Sequence, residues 1–135
     1  MKLRIRGNSL RLRLLRGEVE QFGKTGNVTE TIRFGTSNAA QLSYILKADD
    51  QAEQIFTYYT DNQITVTIPA KTAKNWVESD EVSLKSEQTI EDDSGKNGNS
   101  KNVLKILIEK DFVCLDRKND PDNVDAFPHP TGKCA

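Results

Sequence analysis

The sequence predicts a mainly-β fold built from two ββαββ units with two short helices. Three observations carry it: several short runs alternate apolar and polar residues with period two, Gly- and Asn-rich turns separate them, and the order strand–strand–helix–strand–strand returns when the sequence is shifted by 54 residues.

Residues 2–6 (Lys-Leu-Arg-Ile-Arg) and 10–14 (Leu-Arg-Leu-Arg-Leu) alternate strictly, which places Leu3, Ile5, Leu10, Leu12 and Leu14 inward and the cations outward. Gly7-Asn8-Ser9 joins them as a hairpin turn, because Gly and Asn reach positive φ at little cost. Residues 16–24 suit a helix with Val19 and Phe22 on one face and Gly23 and Gly26 near its end. Val28, Ile32 and Phe34 fall in a third strand, and Leu42, Tyr44 and Leu46 in a fourth. The second unit opens with a strand over 54–60, turns at Asp61-Asn62 and continues through Ile64, Val66 and Ile68. Pro69 stands at a helix start, where its missing N–H costs nothing, and Ala73, Trp76 and Val77 share one side of residues 70–78. Val82 and Leu84 begin the next strand and Val103 to Ile108 form the last. Between these two, residues 91–100 are polar throughout and read as a loop; the ligand alternation of a calcium loop is missing.

A chain of 135 residues accommodates one domain with a cooperative core. No apolar run approaches the ~20 residues that span a bilayer, and the alternating start offers no signal-peptide core. Two cysteines, Cys114 and Cys134, are too few for a disulfide scaffold, so a reducing cytoplasm is expected. The net charge of −1 excludes a generically basic nucleic-acid binder, but the charge is uneven. Residues 1–54 carry nine Lys/Arg against six Asp/Glu, whereas residues 55–112 carry seven against ten. Lys2, Arg4, Arg6, Arg11, Arg13 and Arg16 all precede the first acidic residue, Glu18.

Arg6-Gly7-Asn8-Ser9-Leu10, followed by Arg13-Leu14-Leu15 and a short helix, resembles the hairpin of the AbrB/MazE swapped-hairpin (SpoVT/AbrB-like) families, which show Gly-Asn-Ser, an alternating strand with Arg, then Ile-Pro at the helix entry. The second unit is similar: Asp61-Asn62-Gln63, Ile64-Thr65-Val66-Thr67-Ile68-Pro69, a helix, then Ser79-Asp80-Glu81-Val82. Leu15 stands where that Pro is expected in the first unit. The likeness spans roughly residues 2–112 and implies a pseudo-dimeric barrel, with repeats 1–53 and 54–112 in one domain and a C-terminal tail over 113–135. A lone unit of this size has open edges and little core, so pairing two is physically reasonable. The opening residues, Glu109-Lys110-Asp111-Phe112 and Asp125-Ala126-Phe127-Pro128-His129-Pro130 also look like a group of bacterial hypothetical proteins, which implies no function.

The basic hairpin is the leading functional feature. Arg4, Arg6, Arg11 and Arg13 share an outward face, spaced to meet successive phosphates of duplex DNA. The resemblance implies the same, since barrels of those families bind DNA through Arg-rich hairpins. The competing reading is a solvated face whose arginines pair with Glu18, Glu20 or Glu30. The second unit offers Thr57, Thr65 and Thr67 in place of cations, which removes half of a symmetrical footprint. The alternative function is a protein–protein adaptor: by analogy with MazE-type antitoxins, Asp125, Phe127 and Pro128 in the acidic, Pro-rich tail would anchor in a partner's groove. That tail would otherwise pack on its own fold or stay disordered. No enzyme, metal or cofactor is expected: His129 is the lone histidine, its spacing to Cys114 and Cys134 fits no zinc pattern, and Glu87, Glu91, Glu109 and Asp111 read as solvated carboxylates.

Overall fold

The alternating runs become eight strands in a computed structural model, whose described residues are 1–90, 102–112, 125 and 127. In chain order the elements are β1 (Lys2–Arg6), β2 (Ser9–Leu14), α1 (Arg16–Thr25), β3 (Asn27–Arg33), β4 (Gln41–Asp49), β5 (Phe56–Thr60), β6 (Gln63–Pro69), α2 (Ala70–Glu78), β7 (Ser83–Thr89) and β8 (Val103–Lys110). The turn between β5 and β6 holds Asp61 and Asn62 at φ 51° and 60°, the left-handed pair that a two-residue hairpin requires. Gly26 closes α1 at φ 73°, donating its N–H to Phe22 O at 2.8 Å.

The strands form two four-stranded sheets, ordered β1-β2-β8-β7 and β3-β4-β6-β5. Each sheet joins a hairpin from the front of the chain to one from the back. The central pairs β2/β8 and β4/β6 are parallel and the flanking pairs antiparallel. The expected closed barrel is not formed; two separate sheets face each other across one core. A side chain explains why the ladder stops between the edges β5 and β7. Thr57 N–H donates to Gln88 Oε1 at 2.7 Å, and Gln88 Nε2 donates to Thr57 O at 2.7 Å. The amide of Gln88 thus stands in for a backbone partner and satisfies the edge without extending the sheet.

The inner faces carry the apolar halves of the alternating runs. Leu12, Leu14 and Ile108 from one sheet meet Leu46, Val66 and Ile68 from the other, all essentially inaccessible to water. Fully burying one such side chain stabilises by about 1.5–3 kcal/mol. One end of the sandwich is sealed by the helices, where Phe22 of α1 packs edge-on against Trp76 of α2, ring centres 6.3 Å apart. Gly23 permits this approach, since a Cβ there would lie 2.8 Å from Val77 Cγ1. The opposite end is not covered by any described residue, and this corrects two expectations. Ile5 does take the inner-face register opposite Leu10 but is 60% exposed, and Phe34 lies beyond β3 and is 72% exposed.

Lys110 occupies an inward position at the sealed end. It is only 4% exposed; its ammonium lies 5.5 Å from the Trp76 ring centre and 5.4 Å from that of Phe127, and donates to Ser79 O at 2.8 Å. Burial pushes its pKa down, and Asp80 and Glu81 oppose that shift. With the folded value lowered, the unfolded chain binds more protons between the two values, so this residue's contribution to stability improves as pH rises through that window. Denaturant titrations of the parent and Lys110→Met between pH 8 and 10 are therefore expected to show the parent gaining relative to the variant as pH rises.

Candidate nucleic-acid interface

Strand register decides which charged residues share the outer face of the β1-β2-β8-β7 sheet. Three cross-strand rows result: Arg6, Ser9, Lys105 and Glu87; Arg4, Arg11, Leu107 and Lys85; Lys2, Arg13, Glu109 and Ser83. The four arginines singled out by sequence lie together on this face. Lys85 and Lys105 join them from the second half of the chain. The sequence could not reveal them as neighbours, because their period-two positions say which face they occupy but not which strand lies beside them.

The two ends of the face differ in charge. Towards the helices, Glu109 answers two cations: it ion-pairs with Arg11, whose Nε donates to Oε1 at 2.5 Å, and its Oε1 lies 2.7 Å from Arg13 Nε. Lys2 Nζ lies 3.4 Å from Asp111 Oδ2. The expected pairing of arginines with Glu18, Glu20 or Glu30 is thus corrected, because strand β8 brings Glu109 beside them. Glu18 and Glu30 instead hold the Met1 ammonium, and Glu18 Oε1 also accepts the Leu15 N–H at 2.9 Å. Towards the β1–β2 turn, Arg4, Arg6, Lys85 and Lys105 form no ion pair among the described residues. A groove of about 580 Å³ opens there, lined by these four cations and Arg11, with Leu107 between them and Glu87 the lone carboxylate of its lining among the described residues.

Glu109 controls how much of this charge is free. Glu109→Gln is expected to weaken the fold by about 1–2 kcal/mol, because Arg11 and Arg13 lose their shared counter-charge while remaining partly solvated. If this face meets a polyanion such as a short DNA duplex, the same change should raise affinity several-fold at 50 mM salt, as Arg11 in the groove and Arg13 beside it lose their carboxylate partner. Thermal melting and anisotropy titrations check the two signs, and a variant that is destabilised with weakened binding would place Glu109 outside this electrostatic role.

The tail residues sit on this chain. Asp125 accepts the Gly17 N–H with both carboxylate oxygens, at 3.0 and 3.1 Å, and so caps α1, whose N-cap position holds Leu15 with no side-chain acceptor. Phe127 bridges to Phe112, their ring centres 5.7 Å apart, and donates its N–H to Asp111 O at 2.6 Å. Pro128, Cys114, His129, Cys134, Glu91 and the loop 91–100 lie outside the described residues. Among the described residues no cluster of His, Cys, Asp and Glu is placed to hold a metal, and no helix is long and apolar enough to cross a membrane.

Comparison with protein families matches residues 1–131 to a family of unknown function. The chain belongs to DUF7009. No curated protein and no solved structure matches it. The match takes in both sheets, both helices and the DUF7009 tail through Asp125 and Phe127.

The outer face of the DUF7009 chain's second sheet is different in kind. Its two central rows run Thr29, Ile45, Thr65, Tyr58 and Thr31, Ser43, Gln63, Thr60, without a charged side chain, and the flanking rows add only Lys47 at one end and Arg33, bonded to Gln41, at the other. Thr65 and Thr67 take outer-face register positions as expected, though both are buried between neighbouring strands. Thr57 does not: it pairs with Val66 and faces the core, buried, so it never stood opposite an outward cation.

Proposed function

We propose that this DUF7009 protein is a non-enzymatic binding module that contacts duplex DNA through the outer face of the β1-β2-β8-β7 sheet. The observation that carries the reading is the convergence of Arg4, Arg6, Arg11, Lys85 and Lys105 on one groove whose lining, among the described residues, includes a single carboxylate, Glu87. A duplex presents regularly spaced phosphates, and Arg4, Arg6, Lys85 and Lys105, which form no ion pair among the described residues, gain most from releasing the duplex's condensed ions. The basic patch is local, which is how a chain of net charge −1 presents a polyanion site.

The ancestry we infer is a duplicated AbrB/MazE-like unit paired with itself as a pseudo-dimer. Matching cross-strand rows support it: Leu3, Leu12, Ile108 and Leu84 in one sheet against Thr57, Val66, Leu46 and Val28 in the other. Two pairs of loop bonds also correspond: Lys105 N–H to Asn8 O (3.1 Å) with Ser43 N–H to Asn62 O (3.0 Å), and Lys110 N–H to Val82 O (3.0 Å) with Ala48 N–H to Gly26 O (2.9 Å). In the resembled families such hairpins face DNA.

Anisotropy titration of a labelled duplex at 50 mM salt tests the function. Arg4→Ala/Arg6→Ala, at two exposed positions, should bind roughly tenfold or more weakly than the parent with an unchanged melting temperature. Equal binding by the two proteins rules out this face as the contact surface.

A further inference from the structure

We propose that the chain holds one duplex per molecule, on a single face, and so engages an unrepeated segment of DNA rather than a palindrome. This rests on the duplex reading above and adds to it a binding mode. The position matching Arg4 on the second sheet is Tyr58, and that matching Arg11 is Thr65, each 54 residues on. Lys105 is matched by Ser43, since both donate their N–H to the asparagine of the neighbouring hairpin turn. By the same registers Arg6 is matched by Thr60 and Lys85 by Thr29.

Every cation of the groove thus has a hydroxyl as its counterpart. A hydroxyl releases no counter-ion, and the two cations of the second face, Lys47 and Arg33, stand at its opposite ends rather than in one groove, so that face lacks the clustered charge that gives affinity for a polyanion. The outer faces of two stacked sheets look away from each other, so one straight duplex cannot touch both. A twofold protein surface reads a twofold site because both halves make the same contacts. Here the backbone pairing is repeated between the sheets and the charge is not. Lys85 and Lys105, from the back of the chain, therefore complete the same site as Arg4 and Arg6 rather than building a second one.

The test uses the full chain with two labelled duplexes of about one helical turn (~10 base pairs), one palindromic and one not. Sedimentation at saturating and at limiting duplex gives the stoichiometry. The expected result is one duplex per chain, with affinities for the two duplexes within about twofold. Lys85→Ala/Lys105→Ala should weaken binding at least tenfold, while Tyr58→Ala/Thr60→Ala leaves it unchanged. Two duplexes on one chain, or a tenfold preference for the palindrome with two chains bound, overturns the one-sided mode while leaving the duplex reading standing. Failure to bind either duplex overturns both.

Discussion

Trp76→Ala is expected to lower the unfolding free energy by about 3–5 kcal/mol and the melting temperature by roughly 10–20 °C. The indole is fully buried where the two helices meet and touches three separate parts of the structure. It receives the edge of Phe22, lies under the Lys110 ammonium, and donates Nε1–H to Val82 O at 3.3 Å. Truncation leaves a cavity, removes one of the faces that compensates a buried cation, and strips a carbonyl of its side-chain donor. Against a typical total of about 5–15 kcal/mol, the loss is a large share of the whole. Trp76→Phe keeps the ring and gives up the N–H and some volume, so it should cost less than half as much. Chemical denaturation of the three proteins measures the order, and a Trp76→Ala loss below about 1 kcal/mol would mean that the helices do not seal the core as described.

The triple reversal Arg4→Glu/Arg6→Glu/Lys105→Glu is expected to reduce duplex affinity at least about 100-fold at 100 mM salt. Each position is exposed and free of ion pairs among the described residues, so the fold loses little. Each reversal withdraws a phosphate contact and places a carboxylate where a phosphate would lie. Binding and melting curves measured on one preparation separate the two effects. A variant that melts like the parent and binds within threefold of it would remove the groove from DNA recognition.

Much of the fold was legible because its local rules agree. Period two located the strands and named their inward sides. Pro69 marked the start of α2, and the i, i+3 pair Val19/Phe22 marked the buried face of α1. The paired turns Gly7-Asn8 and Asp61-Asn62 marked the hairpins. What stayed hidden depends on which strands become neighbours. Nothing local in Glu109 says that it will lie beside Arg11 and Arg13, because that contact follows from the parallel pairing of β2 with β8. Barrel closure was misjudged for a related reason, since Gln88 satisfies the β5 edge with a side chain, and such a bond has no sequence signature. Ile5 shows the limit of alternation: the pattern assigns a face, but exposure depends on whether another element covers that end of the sheet.

In the candidate site, the basic hairpin was legible and its completion was not. Asp125 is the clearest case of a residue whose role the sequence conceals. Its acidic, Pro-flanked setting suggested either a partner anchor or packing on its own fold, and its carboxylate caps a helix that begins at Arg16, 109 positions earlier, where Leu15 offers no cap. Lys110 is similar, since the aromatic rings that make its burial tolerable come from α2 and from Phe127.

The salt dependence of duplex binding bears most directly on the central assignment. Arg4, Arg6, Lys85 and Lys105 meeting phosphates give a slope of log K against log salt of about −3 to −4 for the parent, falling by about one for each of these cations removed. A slope near zero, or one that the groove substitutions leave unchanged, would contradict the assignment of the β1-β2-β8-β7 face as the surface that meets DNA.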